Sequence, residues 1–415
     1  MPENNYKVYP YRWVVLGVFM LINLTIQILW ICFAPITGPA ARFYSVSELQ
    51  IGFLAMSFMI VFIPLSLPVS WIIDTLGYRK SVTIGAVMMA VFGLLRGIFA
   101  SNYTMVIIST LGLAVSQPFL MNSISTVAAK WFPVRERATA SGLVIVASFL
   151  GIAAGQIVSP ILFTKYGITS MLLIYGVAAA VSTLIFIIFT REAPPEPPCS
   201  PGEETRAFML DGFKKMIKMK DIWILMFLFL VGMGVFNGIS TWIESIVRPK
   251  GFGISQAGNL GGALLIGGIV GAAIIPLLSD KLQKRKVFLL AGVALSIPGL
   301  IGVIFSGSYW LLLSSMFVLG FFLMSLAPIG YQYAAEITHP APEGTSNGLL
   351  NLAGQASVIF IYGMEVFKNK NGSFSTSLLL FAGLLVLCVF LILGMKESSL
   401  VKKSVCPDES GIDLK

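Results

Sequence analysis

Charge is scarce in this sequence of 415 residues: 11% are Asp, Glu, Lys or Arg and 56% are hydrophobic, whereas about a quarter of an ordinary soluble domain is charged. A water-soluble fold could not hide that much apolar surface, so a soluble globular protein is excluded. Histidine is nearly absent. His339 alone cannot build a zinc or haem site, and it reads as a turn residue before Pro340. The four cysteines, Cys32, Cys199, Cys388 and Cys406, form no CxxC pair, so neither a disulfide framework nor a thiolate metal site is implied. No cofactor is expected. With one imidazole there is no Ser/His/Asp or Cys/His constellation, and an enzyme is not expected either.

What is present is apolar and rich in helix-bending residues, with 40 Gly, 21 Pro and 18 Met, a mixture frequent in membrane helices. A bilayer core of ~30 Å needs roughly 20 apolar residues per helix. Twelve such runs are present: 13–36, 51–73, 81–100, 105–130, 138–163, 168–189, 222–247, 256–279, 287–305, 309–334, 344–367 and 374–395. The first is too long for the apolar core of a signal peptide. The one long hydrophilic stretch begins with EAPPEPPCSPGEE and ends with the amphipathic FMLDGFKKMIKMK, which suits a membrane surface. The expected architecture is an all-α membrane protein of twelve transmembrane helices in two pseudo-symmetric six-helix bundles. Its segments are 1–189, a linker at 190–220, 221–396 and a tail at 397–415.

An even number of crossings puts both termini on one side. That side carries 21 Lys and Arg, against seven opposite: Arg42, Arg96, Lys165, Arg248, Lys250, Lys368 and Lys370. By the positive-inside rule both termini are cytoplasmic. The net charge of +9 then follows from topology, and no nucleic-acid partner is needed. The expected partners are the lipid bilayer and a small-molecule substrate, the expected state a monomer. Compact loops and short tails favour a plasma membrane of the prokaryotic inner-membrane type.

Between the second and third runs stands DTLGYRK, in which Asp74 ends one helix, Gly77 permits a tight turn and Arg79 and Lys80 open the next. The second half carries SDKLQKRK at the corresponding place, with Asp280, Lys284 and Arg285. The pattern resembles the loop signature of the major facilitator superfamily, whose acid and bases form a charge relay that holds the cytoplasmic gate. A chance cluster of inside-positive residues is the alternative for one copy; the recurrence weighs against it. Trp30, the FYSV that follows, Gln117-Pro118-Phe119, KWFPVRERATASG and EITHPAPEGTSNGLLNLAGQ together resemble the feline leukaemia virus subgroup C receptor-related transporters. That family carries choline, and haem has been proposed for it. GVFNGISTWIES also resembles its disrupted-in-renal-carcinoma branch, associated with proton-driven pyridoxine uptake, which has an acid where this chain has Glu244.

The resemblance implies substrate-binding roles for Trp30 as a cage tryptophan, for Gln117, and for Gln355 as a polar neighbour. Asn237 replaces the aromatic that closes the cage in the choline carriers. From the residues alone, no Lys, Arg, Asp or Glu lies near the middle of a predicted span, which removes the usual marker of an ion site. The polar residues at depth are Asn23, Gln27, Gln117, Asn122, Gln156, Asn237, Gln332, Asn351 and Gln355. With Trp30, Phe33 and Tyr331 they suit a neutral or cationic small molecule; interhelical hydrogen bonding is the alternative for each amide. Glu244, Glu365 and Arg96 stand near the outer helix ends, where long side chains reach the interface. Glu244 is either a proton-titrating group, making protons a coupling partner, or a counter-ion for a cationic substrate. The function these features imply is secondary transport of a choline-like or pyridoxine-like solute by alternating access. A membrane receptor that binds without moving its ligand is the alternative.

Overall fold

The structure, a computed structural model, describes residues 9–196, 216–282, 284–338, 343–368 and 372–397. His339, Cys199, Cys406, most of the 190–220 linker and nearly all of the tail lie outside the described residues. Cys32 and Cys388 are free, buried thiols.

Among the described residues every regular element is helical. The first half runs through α1 (Arg12–Tyr44), α2 (Glu48–Leu76), α3 (Tyr78–Ile98) and α4 (Tyr103–Trp131). A helical stretch of 56 residues, Val134–Phe189, follows. At ~1.5 Å per residue it would be roughly 84 Å long, far beyond a bilayer. It is broken at Gly167, whose φ of 77° and ψ of 173° lie outside the helical region, a conformation open to glycine and strained for other residues. It therefore counts as two crossings, α5 (134–166) and α6 (168–189). The second half comprises α7 (Lys220–Thr241), α8 (Ile254–Leu282), α9 (Arg285–Phe305), α10 (Tyr309–Thr338), α11 (Glu343–Gln355, continued by Val358–Val366) and α12 (Ser375–Leu393). The side on which α1 begins and α12 ends is called here the terminal face, and the opposite side the far face.

The crossings match the twelve apolar runs, but several are not the unbroken helices expected. α1 is interrupted at Cys32 and Phe33, and α7 at Trp242, after which Ile243–Val247 forms a short outer helix. α4 breaks at Asn122 and Ser123, four residues after Pro118. Pro118 lacks the N–H that would bond the Ala114 carbonyl one turn earlier, while its own carbonyl still accepts the Asn122 N–H at 3.0 Å. The Asn122 amide stitches the break to α2, donating to the Ser66 carbonyl and to the Ser66 and Ser70 hydroxyls at 2.9, 3.2 and 3.0 Å.

Large apolar side chains such as Leu67, Trp71, Ile188, Leu277 and Trp310 point outward and are exposed, as lipid-facing residues are. Within the second half, α8 packs against α10 so closely that a Cβ on Gly271 would collide with the Phe321 carbonyl. Across the halves, α5 packs on α8 and α2 on α11. If helix n is equivalent to helix n+6, these are one contact repeated by a two-fold axis.

Candidate functional site

The centre is lined from both halves. Counting ~1.5 Å of rise per residue from the terminal face, Gln27, Gln117 and Gln355 lie at about 20 Å. Trp30 and Asn237 lie about one turn further, and Tyr331 and Asn351 at only about 10 Å. Gln27 ties α1 to α4 through an amide–sulfur contact with Met121 (3.7 Å), while its Oε1 is buried without a partner. Gln117 is 6% exposed, and neither it nor the half-buried Gln355 has a hydrogen-bond partner among the described residues.

The other predicted binders are engaged with the protein. The Trp30 indole N–H donates to the Ala55 carbonyl of α2 at 3.0 Å. Asn237 donates to the Ser357 hydroxyl, at the break in α11, at 3.2 Å. The Tyr331 hydroxyl meets Asn351, and its ring lies 4.9 Å from that of Phe229. The five predicted binders thus make no hydrogen bonds with one another, and Tyr331 sits nearer the terminal face than the rest.

Arg96 differs from its expectation. It does not reach an interface; it is 1% exposed, because α1 ends a helical turn beside it. The guanidinium donates to the Leu29 carbonyl (3.0 Å) and the Cys32 sulfur (3.7 Å) and lies over the Phe33 ring. A cation at a helix C-terminus satisfies carbonyls released by the break.

At the far face an ion cluster joins the halves. Glu48 opens α2, where Ser47 and Gln50 form a capping box. Its carboxylate accepts from Arg248, from Lys368 (2.7 Å) and from Ser245 (3.1 Å), all of the second half. Glu244, 3% exposed, accepts the Gly38 N–H of α1 at 3.0 Å and pairs with Arg248 at 3.3 Å. A Cβ on Gly38 would meet the Arg248 guanidinium, the end of a flexible side chain, which would have to shift and so disturb its pairing with Glu244. Burial raises the Glu244 pKa, opposed by Arg248, the Gly38 N–H and Arg42, and assisted by Glu48. The far face is closed.

At the terminal face the predicted relay residues divide. In the second half Arg285 pairs with Asp280 and with Glu336 (3.0 Å). In the first half Asp74 is exposed and makes no ion pair among the described residues, and the Arg79 and Lys80 side chains are exposed. Gly77 has φ 82°, and Glu192 fills the space beside it, accepting the Arg79 N–H at 2.9 Å and pairing with Lys130. Glu397 does the same for α9, accepting the Arg285 and Lys286 N–H groups at 2.8 and 3.1 Å. Negative charge at a helix N-terminus is stabilising. Sequence reasoning missed both caps, although a base–acid pair follows the sixth crossing of each half, as Arg191-Glu192 and Lys396-Glu397.

Residues 19–362 and 246–404 match the family model described as Major Facilitator Superfamily. The chain belongs to the Major Facilitator Superfamily. Among its curated relatives, Solute carrier family 49 member A3 of Xenopus tropicalis is 30% identical over 390 residues, covering 90% of this chain and 80% of that protein. The choline/ethanolamine transporter FLVCR2 of Homo sapiens is 27% identical over 416 residues, covering 95% of this chain and 78% of that protein. A bacterial homologue of the human lysosomal transporter Spinster, solved in an inward-facing, unoccupied conformation, superposes with a TM-score of 0.76 at 15% identity over 97% of this chain and 100% of that one, which concerns the fold alone. Relatives of this facilitator are thus membrane transporters rather than enzymes, and it is a multi-pass protein of that class.

Proposed function

We propose that this facilitator moves a small neutral or cationic organic solute, choline-like or pyridoxine-like, by alternating access, as a monomer in the plasma membrane with both termini in the cytoplasm. The observation that carries this reading is the pair of amides, Gln117 from one half and Gln355 from the other, that lie at similar depth along their helices and have no hydrogen-bond partner among the described residues. They offer hydrogen bonds to a hydroxyl or ammonium group while the far face is closed above them. Trp30 supplies a π face worth ~2 kcal/mol to a desolvated cation. The buried Arg96 opposes it by like-charge repulsion. Uptake of choline, ethanolamine and pyridoxine into proteoliposomes tests the proposal. Saturable binding with no uptake of any solute would replace it with a receptor that does not transport.

Glu244 is the proposed proton-coupling group. Burial raises its pKa in the closed far face, and that shift is relieved when water reaches it. The closed conformer therefore binds the proton more tightly, so closure is favoured at low pH and that advantage is lost as pH rises through the raised value. Uptake should depend on far-side pH in the wild type and become flat in Glu244→Gln. An overlaid pH profile would favour uniport.

Asp74 makes no ion pair among the described residues, and its relay role is assigned to the conformer closed at the terminal face. Asp74→Asn is expected to slow transport while leaving solute affinity unchanged. Wild-type transport rates in vesicles would remove it from the gate.

A further inference from the structure

Trp242, 0% exposed, is the bulkiest fully buried side chain among the described residues, and it stands at the break in α7. Its indole is pinned to the second half on two sides. The N–H donates to the Ile361 carbonyl of α11 at 2.9 Å. The ring stacks on Phe374, just before α12, with centroids 5.7 Å and planes 27° apart. The far end of the ring crosses to the first half, where it sits so close to Gly52 of α2 that a Cβ there would overlap Cη2 and Cζ2. A long, mobile side chain would relieve such an overlap by a small shift. This ring is held by its N–H bond and its stack, in a packed interior with little slack. A substituent on Gly52 therefore has to displace the ring or move the halves apart.

Gly52 lies one helical turn beyond Glu48 on α2, about 6 Å deeper in the membrane. The ring thus fills the seam beneath the far-face ion cluster. The two layers are joined through the second half. Glu48 pairs with Lys368, whose ammonium lies 5.0 Å from the centroid of the Phe374 ring, and Phe374 carries the stacked Trp242. The contacts leave α2 at Glu48 and return to it at Gly52, and every link between lies in the second half. Partly exposed ion pairs hold the outer layer together, while an indole seated on a glycine excludes water. We propose that Trp242 is the inner seal of the far face and Gly52 its seat. Closure is complete when the ring enters the notch, and opening withdraws it with the second half. The room at position 52 then sets the balance between the two conformers. The part the seal plays in transport rests on the alternating-access reading above.

The seal is tested on the purified full-length protein by cysteine accessibility to a water-soluble maleimide, in a background lacking the native cysteines and with no solute added. Thr37→Cys, at a position 1% exposed in the closed face, reports the far side. Asn351→Cys, at an exposed position nearer the terminal face, reports the other. Gly52→Ala should speed labelling at position 37 about five- to tenfold and slow it at position 351. Adding Trp242→Phe, whose smaller ring makes room for the new methyl, should bring both rates back toward the parental values. A fold that merely loosens would speed both sites, and that result, or parental rates at both, would overturn the seal. If Gly52→Ala fails to fold, Trp242→Phe alone decides. It leaves the seat part-empty and drops the bond to Ile361, so labelling at position 37 should rise, and a parental rate would overturn the seal. Uptake assays separate this from the transport proposal: shifted labelling without uptake of any solute keeps the seal and removes the transporter, whereas uptake with unshifted labelling does the reverse.

Discussion

Trp30→Ala is expected to weaken solute binding by about 2 to 3 kcal/mol, or roughly 30- to 150-fold. The change removes the π face, the buried area and the indole donor to the Ala55 carbonyl. Trp30→Phe keeps a ring and should lose much less. Calorimetry with a tertiary amine and its uncharged carbon isostere on each variant separates the causes. A larger loss for the charged ligand supports a cation–π cage. Equal losses mean plain hydrophobic packing, which the buried charge of Arg96 would favour. No loss would leave Trp30 as a strut between α1 and α2.

Glu48→Gln should have the largest conformational effect, because one carboxylate holds both Arg248 and Lys368. Charged hydrogen bonds of this kind contribute about 1.5–3 kcal/mol each when buried. Here the partners are partly exposed, and about 1–2 kcal/mol in total is a fair expectation, equivalent to a 5- to 30-fold shift toward the far-face-open conformer. A cysteine at Thr37, 1% exposed when the face is closed, reports it in a background lacking the native cysteines. Its labelling by an impermeant maleimide should accelerate by that factor in Glu48→Gln. An unchanged rate would show that the Gly38–Glu244 bond and apolar packing suffice to hold the face shut.

The twelve crossings were legible because ~30 Å of hydrocarbon imposes a length on each apolar run. The breaks within them were not. Hydropathy says nothing about where a ladder stops, and the run containing Trp242 reads as smoothly apolar even though its helix ends at Thr241. Depth was the harder quantity. Arg96 lies near the end of α3 in sequence, yet α1 unwinds beside it, so a side chain expected to reach an interface is enclosed. The amides of the candidate site were visible as residues, but whether each was engaged depended on partners remote in sequence: Ser357 takes Asn237, while Gln117 and Gln355 are left open. Glu48 was overlooked because an acid at a helix start reads as an ordinary cap; its bridging role needs Arg248 and Lys368, 200 and 320 residues away.

The turn at Gly167 bears on how the molecule is seen from outside its membrane. One residue connects α5 to α6, and similarly short segments join α3 to α4 and α9 to α10. A protease needs a strand it can pull into its cleft, and an antibody needs a loop it can grip. Neither finds one at Gly167, so among the described residues of this face the rim around Glu48 and Arg248 is a main feature left to recognise, and alternating access would change its shape. A binder selected there would act as a conformational probe by default.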